Sequence, residues 1–75
     1  METMDALERL AARRRLGPEW TKGYFDSWRD DDNGKLLPLT DEALREACRE
    51  RHGYTGAQVD AWVWGYRDSA LISVR

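Results

Sequence analysis

Apolar side chains recur along this chain at intervals of three and four residues, the spacing that places them on one face of an α-helix. The clearest stripe contains Val59, Trp62, Val63, Tyr66 and Ala70. The shorter stripes are Met4, Leu7, Leu10 and Ala11; Tyr24, Phe25 and Trp28; and Leu44, Ala47 and Cys48. No stretch alternates apolar and polar residues as a half-buried strand would. The pattern therefore predicts an all-α protein with these stripes as its core.

Capping residues place the ends of the predicted helices. A threonine at the N-cap accepts a hydrogen bond from a backbone N–H that the helix leaves unpaired, and the candidates are Thr3, Thr21, Thr40 and Thr55. Glycine and proline signals end each helix, and they are Gly17-Pro18, Asn33-Gly34 and Gly53. These signals predict helices near 4–16, 22–31, 41–52 and 56–72. We therefore expect a compact three- to four-helix domain that spans residues 1–75.

Three of the predicted helix starts carry large apolar residues immediately before the cap and four residues after it, the spacing of a hydrophobic staple. The pairs are Trp20 with Phe25, Leu39 with Leu44, and Tyr54 with Val59. Gln58 also occupies the capping-box position relative to Thr55. Because of these shared spacings, segments 20–28 and 54–62 have similar sequence patterns. We interpret the parallel as two helices with the same solution to capping and packing.

Composition limits the class of protein. A chain of 75 residues buries a small core, and its four tryptophans suit that need. No apolar run approaches the roughly 20 residues of a membrane span, and the N-terminus lacks the pattern of a signal peptide. One cysteine permits no internal disulfide and indicates a reducing, cytoplasmic setting. Cations that are nearly all arginine suggest a GC-rich coding source, such as an actinobacterium or its phage.

The residues Gly53, Tyr54, Thr55, Val59, Trp62, Gly65 and Arg67 follow one another at a characteristic spacing. This segment resembles the recognition-helix half of the Cro/repressor-like helix-turn-helix family, and Leu39-Thr40 resembles the start of that family's first motif helix. The resemblance covers about 15 residues well and about 30 loosely. It implies a DNA-binding regulator that reads a duplex with helix 56–68 through Thr55, Gln58 and Arg67.

Several residues depart from that family pattern. Arg49 stands where the family has a small residue at the helix crossing, and His52 stands where it has an apolar one. The segment 44–53 is also about one helical turn too long. Asp60 on the would-be reading face would repel phosphate, and the formal net charge of the chain is −2. DNA binding is therefore the alternative hypothesis.

The leading hypothesis concerns the polar side of the last helix. Helical geometry puts Trp64 and Leu71 away from the core stripe, with Asp60, Arg67 and Asp68 around them. An aromatic side chain on a polar face is typical of an interface anchor, although packing within the chain would also bury it. We predict a non-enzymatic adaptor or inhibitor that binds a protein partner or a second copy of itself.

Candidate catalytic and metal sites are weak. Cys48 and His52 are four residues apart on one helix, but two such residues form neither a zinc site nor an oriented nucleophile. The sequence from Asp30 to Gly34 fails the register of a calcium loop, and we interpret it as an acidic, solvated loop. Arg13 to Arg15 match the negative end of a helix dipole. We expect no catalytic residue, metal, cofactor or small-molecule substrate.

Overall fold

The structure is a computed structural model that describes residues 17–73, with side chains to residue 71. Within this range the chain forms three helices and no strand: α1 (Gly17–Asp32), α2 (Asp41–His52) and α3 (Ala57–Ser73). The all-α prediction is confirmed. Helix α3 packs extensively along α1 and contacts α2 on another side. None of these three helices has the length and apolarity that crossing a membrane would require.

The features predicted for residues 1–16 lie outside the described residues. They are the helix near 4–16, its Thr3 cap, its apolar stripe and the arginines at its end.

Helix α2 has the ends that the sequence predicts. The hydroxyl of Thr40 accepts a hydrogen bond from the backbone N–H of Ala43 at 3.2 Å, which caps the N-terminus. At the other end Gly53 adopts the left-handed conformation, with φ 68°, and its N–H donates to the carbonyl of Arg49 at 2.9 Å. Both caps are local interactions, which is why a few consecutive residues were enough to predict them.

Helix α3 begins at Ala57, one residue later than predicted, and continues to Ser73 without a break at Gly65. The side-chain oxygen of Gln58 lies 3.5 Å from the backbone N–H of Thr55, so the glutamine half of the predicted capping box is only loosely formed. The start shifts because Gly56 takes a left-handed conformation, with φ 58°, between Thr55 and the helix.

The predicted start of α1 is wrong. It was placed near residue 22, but α1 begins at Gly17 and carries Pro18 in its first turn. Proline is well suited to that position because the missing N–H would have no partner there in any case. Thr21 therefore lies inside α1 and is no N-cap, and Trp20 with Phe25 is no staple. The stop predicted at Gly17-Pro18 belongs to the helix near 4–16, which lies outside the described residues. The predicted stop at Asn33-Gly34 is confirmed, since α1 ends at Asp32.

The predicted core is confirmed for α3 and corrected for α1. All five members of the α3 stripe are buried, and Leu44 and Cys48 from α2 pack against four of them. On α1, however, Trp28 is 47% exposed and Trp20 is fully buried. The buried face of α1 consists of Trp20, Gly23, Asp26, Ser27 and Asp30. Apolar periodicity missed this face because most of it is polar or glycine.

Helices α1 and α3 carry two copies of one sequence pattern. Residues 20–27 read WTKGYFDS and residues 62–69 read WVWGYRDS, so five of eight positions are identical. Trp20 Nε1 donates to Asp68 at 3.1 Å, and Trp62 Nε1 donates to Asp26 at 3.0 Å. Each tryptophan thus bonds the aspartate of the other copy. In the structure Trp20 and Trp62 therefore occupy equivalent positions. The alignment of 20–27 with 62–69 describes the two helices better than the predicted parallel between 20–28 and 54–62.

The glycines of the two copies are where the helices cross. A methyl group built on Gly23 would overlap the backbone carbonyl of Trp62, and one built on Gly65 would overlap that of Trp20. The two backbones therefore touch, with no side chain between them. Together with the two tryptophan–aspartate bonds, these reciprocal contacts give the α1–α3 pair an approximate two-fold relation.

Candidate functional site

Two large apolar residues of α3 face solvent, as the helical wheel predicts. Trp64 is 52% exposed and Leu71 is 64% exposed. They are seven residues apart, which places them on the same side of the helix about two turns, or roughly 10 Å, from each other. Helix α3 is anchored on its other sides by α1 and α2. It therefore holds Trp64 on a rigid element.

Trp64 lies at the edge of a shallow groove between α2 and α3. The groove encloses about 280 Å³ and is lined by Asp41, Arg45, Asp60, Val63, Trp64 and Arg67. Arg45 bridges its two walls: its Nε lies 2.8 Å from Asp41 Oδ2 and its NH2 lies 2.5 Å from Asp60 Oδ1. These bonds raise the pKa of Arg45. We use the name Trp64 surface for Trp64, Leu71 and the residues that line this groove.

The five predicted contact residues differ in their surroundings. Asp60 and Trp64 are exposed beside the groove, and Leu71 is exposed farther along the helix. Arg67 is half-buried, with Nε 3.3 Å from the carbonyl oxygen of Leu39. Asp68 is also half-buried and accepts the bond from Trp20 on α1. The structure therefore brings Asp60, Trp64 and Arg67 together, whereas Asp68 contributes to the α1–α3 contact.

The residues of the DNA-reading alternative do not form one surface. Thr55 and Gln58 are both exposed, but Gln58 Nε2 lies 3.4 Å from a carboxylate oxygen of Glu19. Arg67 comes nine residues after Gln58, and at about 100° per residue the two side chains leave opposite sides of the helix. A cation on the far side cannot assist base contacts made by Gln58.

The largest polar cluster of the described chain was not predicted. It centres on Asp26, which is 1% exposed. Its Oδ2 lies 2.7 Å from His52 Nε2 and accepts from Trp62 Nε1 at 3.0 Å, while its Oδ1 accepts from Arg29 at 3.1 Å. Lys22 Nζ lies 3.9 Å from the same Oδ1. This carboxylate joins side chains of all three helices.

Asp30 makes a second buried link, and this corrects the interpretation of residues 30–34 as a solvated loop. The Tyr66 hydroxyl donates to Asp30 Oδ2 at 2.6 Å, and Arg51 NH1 lies 3.0 Å from the same atom. The Tyr66 oxygen in turn accepts from the backbone N–H of Leu37 at 3.1 Å. Burial, and then the bond to Asp30, raise the pKa of Tyr66. Residues 31–34 are exposed, as expected.

The geometry at Cys48 is unfavourable for nucleophilic chemistry. The thiol is fully buried, and this burial raises its pKa from 9.0 to about 11. Because the thiolate is the reactive form, a raised pKa suppresses both nucleophilic attack and metal binding. Nor does any group of three His, Cys, Asp or Glu side chains within residues 17–71 have the arrangement of a metal site.

A second aromatic surface lies on α1, where Trp28, predicted to belong to the core, is exposed, and Phe25 is partly buried against Trp20 and Ala61. Phe25 and Trp28 stack with their ring centroids 6.0 Å apart and their planes inclined by 19°. They line an open groove of about 490 Å³ together with Lys22, Asp26, Arg29 and Asp32. We call this the Trp28 groove. Phe25 and Trp28 have the helical spacing of a core pair, so the sequence pattern alone did not distinguish them from one. The structure buries Trp20 instead of Trp28.

Comparison of the chain with protein-family models, with curated proteins and with solved structures finds no match.

Proposed function

We propose that this protein is a non-enzymatic interaction module that binds a protein partner through the Trp64 surface. The observation that carries the proposal is the half-exposed indole of Trp64 on a helix that buries most of its other apolar side chains. Tryptophan is enriched among the residues that dominate binding energy at interfaces. A class of small adaptors or inhibitors that act in the cytoplasm, including those of phages, fits these features.

The surroundings of Trp64 support this role. Arg45 bridges Asp41 and Asp60 beside the indole, so the rim of the groove carries charges of both signs. Rim charges of this kind contribute more to orientation and association rate than to affinity. Leu71 extends the apolar contact about two turns along α3. A partner would therefore meet two apolar anchors with charges on one side.

Binding to duplex DNA is the alternative. The helix-turn-helix resemblance and the exposed positions of Thr55 and Gln58 favour it. The contact of Gln58 with Glu19 and the net charge of −2 oppose it. This alternative predicts salt-sensitive duplex binding that Gln58→Ala weakens.

Capture from a nuclease-treated lysate of a candidate host tests the proposal. Trp28→Ala is a matched control, because it removes an indole of similar exposure from a different helix. We expect nuclease-resistant capture of one protein, weakened at least about tenfold by Trp64→Ala and retained by the control. Capture that nuclease abolishes would support the DNA alternative. If Trp64→Ala changes neither capture nor self-association, the Trp64 surface is the wrong one.

A further inference from the structure

The two-fold relation between α1 and α3 bears on the side of α3 that α2 covers. Leu44 and Cys48 of α2 pack in one buried cluster with Val63 and Tyr66 of α3. Ala70 lies one turn later on the same side of α3. In the alignment of the two copies, the α1 equivalents of these three α3 residues are Thr21, Tyr24 and Trp28. The two-fold relation thus gives α1 a face equivalent to the one on which α2 docks.

We call Thr21, Tyr24 and Trp28 the Tyr24 face. Its three equivalents on α3 are at most 3% exposed. On the Tyr24 face, Trp28 is 47% exposed, and Thr21 and Tyr24 are partly buried. Among the described helices, the backbone of α1 packs closely against α3 alone. The described helices therefore include no equivalent of α2 on the Tyr24 face.

Chain order identifies the segment that fits this position. Helix α2 comes immediately before α3, and the residues between them include two left-handed glycines, Gly53 and Gly56. Immediately before α1 comes segment 1–16, outside the described residues, for which the sequence predicts a helix near 4–16. Gly17, at the junction, is left-handed too, with φ 74°. Because a left-handed glycine commonly ends a helix, the same stop signal precedes both α1 and α3.

The predicted helix also has the apolar spacing and the length that this position requires. Helix α2 packs against α3 through Leu44, Ala47 and Cys48. The same spacing recurs in Leu7, Leu10 and Ala11. At about 1.5 Å per residue, a helix from residue 4 to Gly17 measures roughly 20 Å, and Trp28 lies roughly 17 Å along α1 from Gly17. A helix that turns back at Gly17 therefore reaches the whole Tyr24 face.

Basic residues at the end of the predicted helix support the same placement. In the last turn of α2, His52 Nε2 lies 2.7 Å from Asp26. The equivalent aspartate is Asp68, which accepts from Trp20 at 3.1 Å and so lies within one helical turn of the junction at Gly17. Arg13 to Arg15 end the predicted helix beside that junction. They are placed to meet Asp68 as His52 meets Asp26.

We propose that residues 4–16 dock as a helix on the Tyr24 face, as α2 docks on α3, and that one of Arg13 to Arg15 pairs with Asp68. This inference goes beyond the proposed function and does not involve Trp64. The molecule then consists of two helix pairs related by the approximate two-fold and joined by residues 33–40.

NMR spectroscopy of the full chain tests the docking. Nuclear Overhauser contacts should join the methyl groups of Leu10 and Ala11 to the rings of Tyr24 and Trp28. Leu7→Gln should remove these contacts. Arg9→Gln, which introduces the same side chain on the opposite side of the predicted helix, should retain them. A mixture of isotope-labelled and unlabelled chains should show the contacts within one chain only.

Urea denaturation tests the ion pair. Asp68→Asn keeps an oxygen that can accept from Trp20 and removes the charge, so it should lower the unfolding midpoint. That loss should largely disappear in a chain in which Arg13, Arg14 and Arg15 are all replaced by glutamine. A loss of equal size in both backgrounds would contradict the pairing.

Two NMR results would overturn the docking itself. Contacts found only between labelled and unlabelled chains would make a second copy of the chain the occupant of the Tyr24 face. A wild-type chain in which residues 4–16 give no contact with either ring would show that the segment does not dock there.

Discussion

Asp26 is a charged residue that acts as part of the core. It accepts hydrogen bonds from Trp62 and Arg29 and lies 2.7 Å from His52, in a position with 1% exposure. Removing the carboxylate by Asp26→Ala leaves the buried indole N–H of Trp62 unpaired, which costs about 1–3 kcal/mol. We expect urea denaturation to show a loss of that size. Asp32→Ala, at the exposed end of the same helix, should change stability by less than about 0.5 kcal/mol. Equal effects of the two substitutions would contradict the role given to Asp26.

Burial of Cys48 makes stability depend on pH in the alkaline range. The folded thiol has a pKa of about 11, against 9.0 for an unperturbed thiol. Between these values the unfolded chain holds the proton less tightly than the native chain, so the free energy of unfolding falls as pH rises. Below about pH 9 the thiol is protonated in both the native and the unfolded chain, so the stability lost at higher pH is fully present there. Thiolate absorbance should appear near pH 11 in native protein and near pH 9 in denaturant.

Cys48→Ala provides the control for that titration. It should flatten the pH dependence of unfolding without removing it, because Tyr66 also has a raised pKa. A native thiol that reacts with a thiol reagent at neutral pH as fast as the unfolded chain does would show that Cys48 is accessible.

At the scale of helices, two effects of opposite sign meet at Gly23 and Gly65. Helix propensity alone predicts that Gly→Ala stabilises a helix interior by about 1 kcal/mol. Here the added methyl would overlap the backbone of the facing helix, which cannot turn aside as a side chain can. Overpacking costs typically about 1–3 kcal/mol, so we expect net destabilisation by Gly23→Ala and by Gly65→Ala. Thermal unfolding measures the sign, and a rise in Tm for either variant would mean that α1 and α3 do not cross at these glycines.

Helices α2 and α3 could be predicted from the sequence because their caps and apolar stripes are local signals. Thr40 and Gly53 bracket α2 within a residue, and the α3 stripe is buried as expected. The start of α1 was predicted about five residues too late, because Thr21 with Trp20 and Phe25 has the spacing of a capped helix start, whereas the helix begins at Gly17 with Pro18 in its first turn.

The exposure of Trp64 and Leu71 follows from helical geometry and was therefore accessible from the sequence. The role of Asp26 and Asp30 was not, since an aspartate at helical spacing is ordinarily a surface residue. The repeated pattern W-x-x-G-Y-x-D-S was the available signal. Its meaning depends on the crossing of α1 and α3, which brings each tryptophan to the other copy's aspartate.

At the scale of the whole molecule, α3 is the element that holds the described domain together. It packs along α1 through the repeat and receives Leu44 and Cys48 from α2. Helix α2 reaches α1 mainly through polar side chains near its C-terminus: His52 to Asp26 and Arg51 to Asp30. The α1–α3 pair should therefore be the most stable unit, with α2 attached to it.

Native-state hydrogen exchange can resolve this hierarchy. Amides of α2 should exchange through a local opening of lower free energy than those of α1 and α3, because its contacts are fewer and more polar. His52→Ala removes one of its two polar links to α1. This substitution should lower the opening free energy of the α2 amides by about 1 kcal/mol and that of the α1 and α3 amides by less. Arg49→Ala, an exposed substitution on the same helix, should have little effect. If all three helices lose protection equally, α2 is part of a single cooperative unit.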